Sequence, residues 1–433
     1  MAVPHNSLRS FLVLAKRTLR NAIDRSQKIT FVIGNESADL DSFTSSLIYA
    51  YVRSSTPTPH AFTPLYVPVT NIPFSGIQLR PEFLALLPRA NIELQHLITL
   101  DDLPDLSNIK SKLRPENTKW ILVDHNSLQG VLGSIYSDRV GGVIDHHGEE
   151  NKVPKDTVSE PRIIAKAGSC TSLVTEYCRE TWDALSNSAM PSGATHGQGD
   201  ELVDDSTMNT LWDAQVAQLG LASILIDTSN LKAKENTTEH DIKAAEYLEA
   251  KIMACPLVSA RFDRSKFFTE IDTAKKDMGG LQLHDILRKD YKEWAERGLK
   301  LGISSVVKPI CFLQENARRE ANGQNPDDSF LPAIRKFSKD RDLDIYALMT
   351  TSTSSEGKFQ RELLLWAFTA DATSAAKKFS GTAGGELGLE DWHGSDGRPH
   401  EEQSEKDWRK VWWQRNVGHS RKRVAPLLRE AMS

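Results

Sequence analysis

Carboxylates and imidazoles recur in this chain in four short clusters, each directly after an apolar run. The first is Gly34-Asn35-Glu36-Ser37-Ala38-Asp39-Leu40-Asp41-Ser42, following Ile29-Thr30-Phe31-Val32-Ile33. Asp124-His125-Asn126 follows Trp120-Ile121-Leu122-Val123, and Asp145-His146-His147 follows Gly142-Val143-Ile144. The run Leu219-Gly220-Leu221-Ala222-Ser223-Ile224-Leu225-Ile226 ends in Asp227. Oxygen donors with one or two ring nitrogens suit hard divalent cations that hold phosphate. Asp39 and Asp41 are two residues apart on a segment leaving a predicted strand, so they can diverge toward two cations rather than chelate one. Asp41-Ser42 also has a blander reading, as the cap of a following helix. Asp124 suits a central place, because one carboxylate can bridge two ions roughly 3.5 to 4 Å apart. Adjacent side chains on a loop point apart. One of His146 and His147 can therefore ligate while the other faces substrate as hydrogen-bond donor or proton source.

The elements that must position these groups are legible in outline. Ile29 to Ile33, Leu65 to Val67, Trp120 to Val123 and Gly142 to Ile144 are apolar without strict alternation, as buried parallel strands are. Leu219 to Ile226 reads as one more. Helical stretches lie between them, among them Ser42 to Val52 and Ser172 to Arg179. That alternation predicts an α/β fold with a doubly wound, mainly parallel sheet. Ligands of such sheets gather beyond the carboxyl ends of the strands, where all four acidic clusters would then lie. Ser186 to Asp205 is rich in Gly, Ser and Asp without periodicity and reads as a surface insertion in which His196 is a solvated loop residue. Ala254-Cys255-Pro256 breaks a helical pattern, and a more charged region follows. The expected division, near residues 255 to 265, gives a metal-binding domain over 1–260 and a smaller α/β substrate-binding domain over 261–433. In the latter, Ser305 to Val307, Ile345 to Thr350 and Glu362 to Ala367 read as strands, and Asn316 to Ser329 and Gly381 to Glu405 as loops or insertions.

The totals bound what the chain can be. Its 433 residues exceed the usual single-domain limit, so two domains are expected. A hydrophobic share of 39% and a net charge of -5 fit a globular protein that does not bind nucleic acid in bulk, so an anionic ligand must be met locally. Such a local reversal exists: Lys406, Arg409, Lys410, Arg415, Arg421, Lys422 and Arg423 lie within one short segment whose single acid is Asp407. Trp408, Trp412 and Trp413 in it read as core. Cys170, Cys178, Cys255 and Cys311 lack CxxC spacing, which predicts reduced thiols and a cytoplasmic setting. No apolar run approaches the roughly 20 residues of a membrane span. The first 23 residues carry four basic residues and no acid, and could be a mitochondrial transit peptide. We favour an amphipathic first helix, with Phe11, Leu12, Leu14, Leu19 and Ile23 on its packed face.

Val123-Asp124-His125-Asn126 and Ile144-Asp145-His146-His147 resemble the signatures of DHH phosphoesterases, in the branch of family II inorganic pyrophosphatases, exopolyphosphatases and prune proteins. Ser420-Arg421-Lys422-Arg423-Val424-Ala425-Pro426 is similar to the substrate-binding segment of that branch's C-terminal domain. Leu287-Arg288-Lys289-Asp290-Tyr291-Lys292 is similar to the domain's opening. The resemblance covers nearly the whole chain apart from the two insertions. It implies Asp39 and Asp124 on one metal, and Asp41, Asp124, His146 and Asp227 on a second. It implies phosphate contacts from His147, Lys292, Arg421 and Lys422. Asn35 replaces a histidine ligand of the pyrophosphatases, as asparagine does in exopolyphosphatases, and is placed with the substrate-contacting residues. The resemblance thus implies a hydrolase of linear inorganic polyphosphate in which two divalent cations activate water, with Asp124, His147 and Asp41 as the catalytic group; a monomer is expected. An amide in place of an imidazole favours Mg²⁺ over Mn²⁺ or Co²⁺. A pyrophosphatase, a nucleotide phosphodiesterase and an inactive regulatory protein on the same scaffold stand as alternatives.

Overall fold

The computed structural model describes residues 5–188, 205–278, 281–321, 329–354, 356–392, 401–403 and 407–433. The chain divides into two units, Met1–Lys275 and Lys276–Ser433. The division falls beyond the break at Ala254-Cys255-Pro256 because the helix Arg264–Lys276 sends Phe267 and Ile271 into the first unit's core.

In the first unit, helix α1 (Leu8–Arg25) leads into β1 (Ile29–Ile33), α2 (Leu40–Ser55) and β2 (Tyr66–Val69). Then come β3 (Thr118–Val123), β4 (Val140–Asp145), β5 (Arg162–Ile164), α3 (Cys170–Ser188), α4 (Asp205–Asp227), α5 (Glu239–Met253) and α6 (Arg264–Lys276). The five strands form one parallel sheet in the order β2-β1-β3-β4-β5. Every residue of β1 and β2 is buried, which is why these strands read as unbroken apolar runs. Phe31 on β1 stacks on Trp120 of β3, ring centroids 4.4 Å apart. The strand order reverses direction between β1 and β3. Two diverging loops therefore leave a crevice at their carboxyl ends. The 29–33 and 120–123 strands, the helix after Leu40 and an apolar-faced α1 with Phe11, Leu12 and Leu19 buried all agree with the sequence reading.

One element departs from it. Leu219 to Ile226 is not a strand but the last two turns of α4. Leu219, Leu221, Ala222, Ser223, Ile224 and Leu225 are all buried, and a short run buried on every side carries no periodicity that separates strand from helix. α2 is equally enclosed: Leu40 to Ser54 are all buried, and its small Ser and Thr side chains let α3 and α4 approach.

In the second unit, α7 (Leu283–Lys289) precedes β6 (Tyr291–Glu296), β7 (Leu299–Val306), α8 (Ile310–Glu320), α9 (Phe330–Lys339), β8 (Ile345–Thr353) and β9 (Phe359–Ala367). α10 (Ala370–Leu387), β10 (Leu389–Asp391), β11 (Glu401–Gln403), β12 (Trp408–Gln414) and α11 (Arg421–Met432) complete it. The sheet runs β10-β12-β9-β8-β7-β6 with β11 on β12, and β7/β8 is its parallel pair. Side chains alternate between two helical layers. Ile345, Ala347 and Met349 pack with α10 and α11, whereas Tyr346 and Leu348 pack with α7, α8 and α9. Trp408 and Trp412 are buried core residues, and Trp413 packs against the core.

Two expected loops are partly helical. Asn316 to Glu320 finish α8, and Gly381 to Leu387 finish α10. In α10 the buried stripe Ala372, Ala376, Phe379, Ala383 and Leu387 outweighs the poor helix propensity of Gly381, Gly384 and Gly385. Most of the Ser186–Asp205 stretch, with His196, lies outside the described residues, as do 322–328, 393–400 and 404–406. All four cysteines are free thiols, buried at Cys170, Cys178 and Cys255 and exposed at Cys311. Among the described residues, no helix is long and apolar enough to cross a membrane.

Candidate metal and phosphate site

β3 ends at Val123, and Asp124 then takes a left-handed backbone conformation, φ 62°. That region is rare outside glycine, asparagine and aspartate and is tolerated where the surroundings enforce it. Here the Asp124 N–H still donates to the Ile144 carbonyl at 3.0 Å, so the turn comes immediately after the β3–β4 pairing. The side chain, 2% exposed, is received from two sides. Oδ2 accepts from the Asn35 amide at 2.7 Å and from the Ser42 hydroxyl at 2.7 Å. Oδ1 faces His146 Nε2 at 3.1 Å and His147 Nδ1 at 3.7 Å. The orientation of the Asn35 amide follows from its other end, where Oδ1 accepts from the backbone N–H and the hydroxyl of Ser37. Asn35 therefore presents N–H groups to Asp124. Burial, then the nearby charges of Asp39 and Asp41, push the Asp124 carboxyl up to about 7 against a partial pull from His146.

Asp39 and Asp41 hold different partners. The cap of α2 is Asp39, whose side chain accepts from Ser42 N at 3.0 Å. Asp41, in the first turn, is 4% exposed and turns toward the start of α3. Its Oδ1 accepts from Ser169 Oγ (2.7 Å), Thr171 N (2.8 Å), Thr171 Oγ1 (2.7 Å) and Ser223 Oγ (3.2 Å), and its Oδ2 from Cys170 N (2.6 Å). Burial alone raises its proton affinity. His146, the hydroxyls and the Cys170 N–H together outweigh that and leave the carboxyl below its ordinary value.

The two histidines do not point apart. Their rings are perpendicular with centroids 4.7 Å apart, and both reach Asp124. The reason is that Asp145 turns His147 back, accepting from its Nδ1 at 2.8 Å and its backbone N–H at 3.1 Å. Asn126 holds Asp145 in turn by a 2.5 Å bond from its amide. Burial raises the Asp145 carboxyl, but His147 and Asn126 more than offset it and hold the group well below the usual range. His146 Nδ1 lies 3.1 Å from the Ala167 carbonyl, which can only accept, so Nδ1 carries hydrogen and Nε2 is the nitrogen turned to the carboxylates. That nitrogen faces Asp124 Oδ1 and, at 3.7 Å, Asp41 Oδ2. Three electron-rich atoms so placed are stable only with a proton or a cation among them.

The donors fit a cation. On an ion with ligands at 2.0–2.1 Å in octahedral geometry, neighbouring donor atoms are about 2.9 Å apart, close to the His146–Asp124 separation. Asp124, His146 and His147 offer three ligand atoms within 4.8 Å of one another. Asp227 is the last residue of α4, not the end of a strand. It lies one helical turn beyond Ser223, whose hydroxyl touches Asp41, so it shares the face of α4 turned to this cluster. Lys292, Arg421 and Lys422 belong to the second unit. Arg421 opens α11 behind the cap Ser420 and is 14% exposed. Its guanidinium bonds the carboxylate of Asp290 at 2.7 Å and the carbonyl at 2.9 Å, which ties it to the strand that carries Lys292. Ser42, Asn126, Asp145, Ser169 and Thr171 are contributors to which motif reading gave no part in the site; Asn126 and Asp145 stood in the Asp-His motifs and Ser42 at the end of the first cluster, whereas Ser169 and Thr171 had no signal of their own.

The DHH family, N-terminal domain, matches residues 29–195, and the DHHA2 domain matches residues 269–431. A Schizosaccharomyces pombe protein named as a candidate exopolyphosphatase is 30% identical over 428 residues, covering 98% of this chain and 97% of its own. The human protein named exopolyphosphatase PRUNE1 is 26% identical, covering 96% and 78%. An Oceanobacillus iheyensis protein named as a manganese-dependent inorganic pyrophosphatase is 24% identical, covering 74% and 82%. The crystal structure of a candidate family II inorganic pyrophosphatase from Methanococcus jannaschii shares the fold, with TM-score 0.52 over 93% of this chain and 99% of that one at 18% identity. The chain belongs to the DHH family, in its exopolyphosphatase and prune branch.

Proposed function

We propose that this protein is a metal-dependent exopolyphosphatase that removes terminal orthophosphate from linear inorganic polyphosphate. The observation that carries the reading is the convergence of Asp41 Oδ2, Asp124 Oδ1 and His146 Nε2 in one enclosed cluster at the sheet's switch point. Family membership and the names of the relatives support the same chemistry. Two divalent cations, Mg²⁺ above all, would be held by Asp39 with Asp124, and by Asp41, Asp124, His146 and Asp227. When bound they supply Lewis acidity, which acidifies water and neutralises phosphoryl oxygens. Asp124 is preset for this by Asn35 and Ser42, which fix one oxygen and leave the other toward the imidazoles. His147, steadied at Nδ1 by Asp145, keeps Nε2 as the atom that holds or gives a proton to the departing phosphate. Lys292, Arg421 and Lys422 of the second unit would neutralise substrate phosphates, with Arg421 offering a planar fork and Lys422 a point charge.

The test is Mg²⁺-dependent phosphate release from long polyphosphate, tripolyphosphate, pyrophosphate and a cyclic nucleotide, with Asp124→Ala as control. Release from the longer chains that Asp124→Ala abolishes is the expected result. A preference for pyrophosphate or the cyclic nucleotide would reassign the substrate. Cation binding without hydrolysis of any phosphoanhydride would make the chain a regulatory protein.

A further inference from the structure

We infer that Asp241 is a positioning residue of the cation site, acting through the segment Ala167 to Thr171 on both Asp41 and His146. The inference rests on the reading of that cluster as a cation site. Asp241 stands in the first turn of α5 and is fully buried. Its Oδ2 accepts from Thr238 N (2.7 Å), Thr238 Oγ1 (2.8 Å) and Gly168 N (2.8 Å). Its Oδ1 accepts from Ser169 N (3.1 Å) and Ser172 Oγ (2.7 Å). The Thr238 bonds belong to the capping box of α5. The bonds to Gly168, Ser169 and Ser172 do not serve α5 at all. They reach a segment some seventy positions earlier, 73 residues away for Gly168.

That segment is the one that shapes the site. Its first residue, Ala167, offers the carbonyl that fixes the ring of His146, and its last three, Ser169 to Thr171, supply four of the bonds on Asp41. Asp241 grips the two backbone N–H groups in between. Gly168 shows how closely the parts meet. A Cβ there would lie 2.8 Å from Asp241 Oδ2, 2.7 Å from the Asn236 carbonyl and 2.7 Å from Thr228 Cγ2. Thr228 directly follows Asp227, so the start of α3, the start of α5 and the end of α4 are joined at one point. The start of α3 holds Asp41, the end of α4 carries Asp227, and the start of α5 grips the segment that leads into α3. Partners that orient metal ligands in this way change metal affinity about 10- to 100-fold when lost. Asp241→Asn is a sharp perturbation, because its NH₂ group would face a backbone N–H of either Gly168 or Ser169 in whichever orientation it took.

The experiment measures Mn²⁺ binding to the metal-stripped full-length protein by titration calorimetry, below the onset of unfolding, with far-UV circular dichroism as the check on folding. Asp213→Asn serves as the comparison, since Asp213 is another buried carboxylate with several donors but touches none of the candidate ligands. Asp241→Asn is expected to weaken Mn²⁺ binding by about tenfold or more while Asp213→Asn stays within about twofold of wild type, as lost orientation of ligands demands. Should Asp241→Asn fail to fold, Ser172→Ala decides, because it removes one donor to Asp241 and no charge; a weakening of about threefold or more is expected for it. Wild-type affinity in folded Asp241→Asn, or in Ser172→Ala where Asp241→Asn does not fold, overturns the inference. So does an equal loss in Asp213→Asn, which would mark a general effect of destabilisation. A wild type that takes up no Mn²⁺ fails the cation-site reading itself. Uptake by wild type but not by Asp124→Ala upholds that reading whatever Asp241→Asn does.

Discussion

Asp124→Asn should stabilise the metal-free protein while destroying its function. Asp124 is a buried carboxylate beside two others, and its proton affinity is raised from an ordinary 3.8 to about 7. A carboxyl raised on folding makes the native state hold the proton longer than the unfolded chain. Stability is therefore lost as pH climbs from about 4 to about 7, and the penalty is complete above that. At pH 8 the raised value corresponds to about 4 kcal/mol of native-state destabilisation, an upper figure because neighbouring carboxylates share the charge. Asparagine removes the charge and fits the partners. Its oxygen can keep the bonds from Asn35 and Ser42, and its NH₂ would stand where Oδ1 faces His146 Nε2. In EDTA at pH 8, Asp124→Asn is expected to melt above wild type by on the order of 8 °C for a unit of this size. The gap should shrink toward pH 5, where wild-type Asp124 is itself protonated. Added Mn²⁺ should raise the wild type and leave the variant unmoved, and turnover of polyphosphate should vanish. Scanning calorimetry at the two pH values checks this. A variant that melts below wild type at pH 8 in EDTA refutes the electrostatic account of the site.

Arg421→Ala is expected to raise KM for polyphosphate by about 30-fold with kcat changed far less, the effect of losing one charge-assisted contact of about 2 kcal/mol; steady-state kinetics showing an unchanged KM would remove Arg421 from the substrate contacts. Burial raises the Asp213 carboxyl, but His5, Lys251, Ser186 and Trp182 outweigh it and hold the group below its ordinary value. A depressed carboxyl stabilises the fold above its unfolded value near 3.8 and loses that contribution as pH falls through the folded one. Urea titrations should therefore show Asp213→Asn less stable than wild type at pH 7 and progressively closer to it as pH falls below the unfolded value near 3.8.

The sequence by itself determined the frame and the candidate groups of the site. β1, β3 and β4 are apolar throughout because they are buried on both faces, and a motif placed after such a strand must emerge at its carboxyl end. Asp39, Asp41, Asp124, His146 and His147 were legible on that ground, since local chain direction is a property of neighbouring residues. Tertiary structure alone decided the rest. Leu219 to Ile226 has no period to betray a helix, so the carrier of Asp227 was misread as a strand. The partners of the site lie far apart in the chain: Ser42 on Asp124 across 82 residues, Thr171 on Asp41 across 130, and Asp241 on Gly168 across 73. Serine, threonine and aspartate are common at helix starts for capping alone, so composition cannot tell which of them also reaches across the fold. Only the packing of α2, α3, α4 and α5 around one junction turns those caps into the walls of a site.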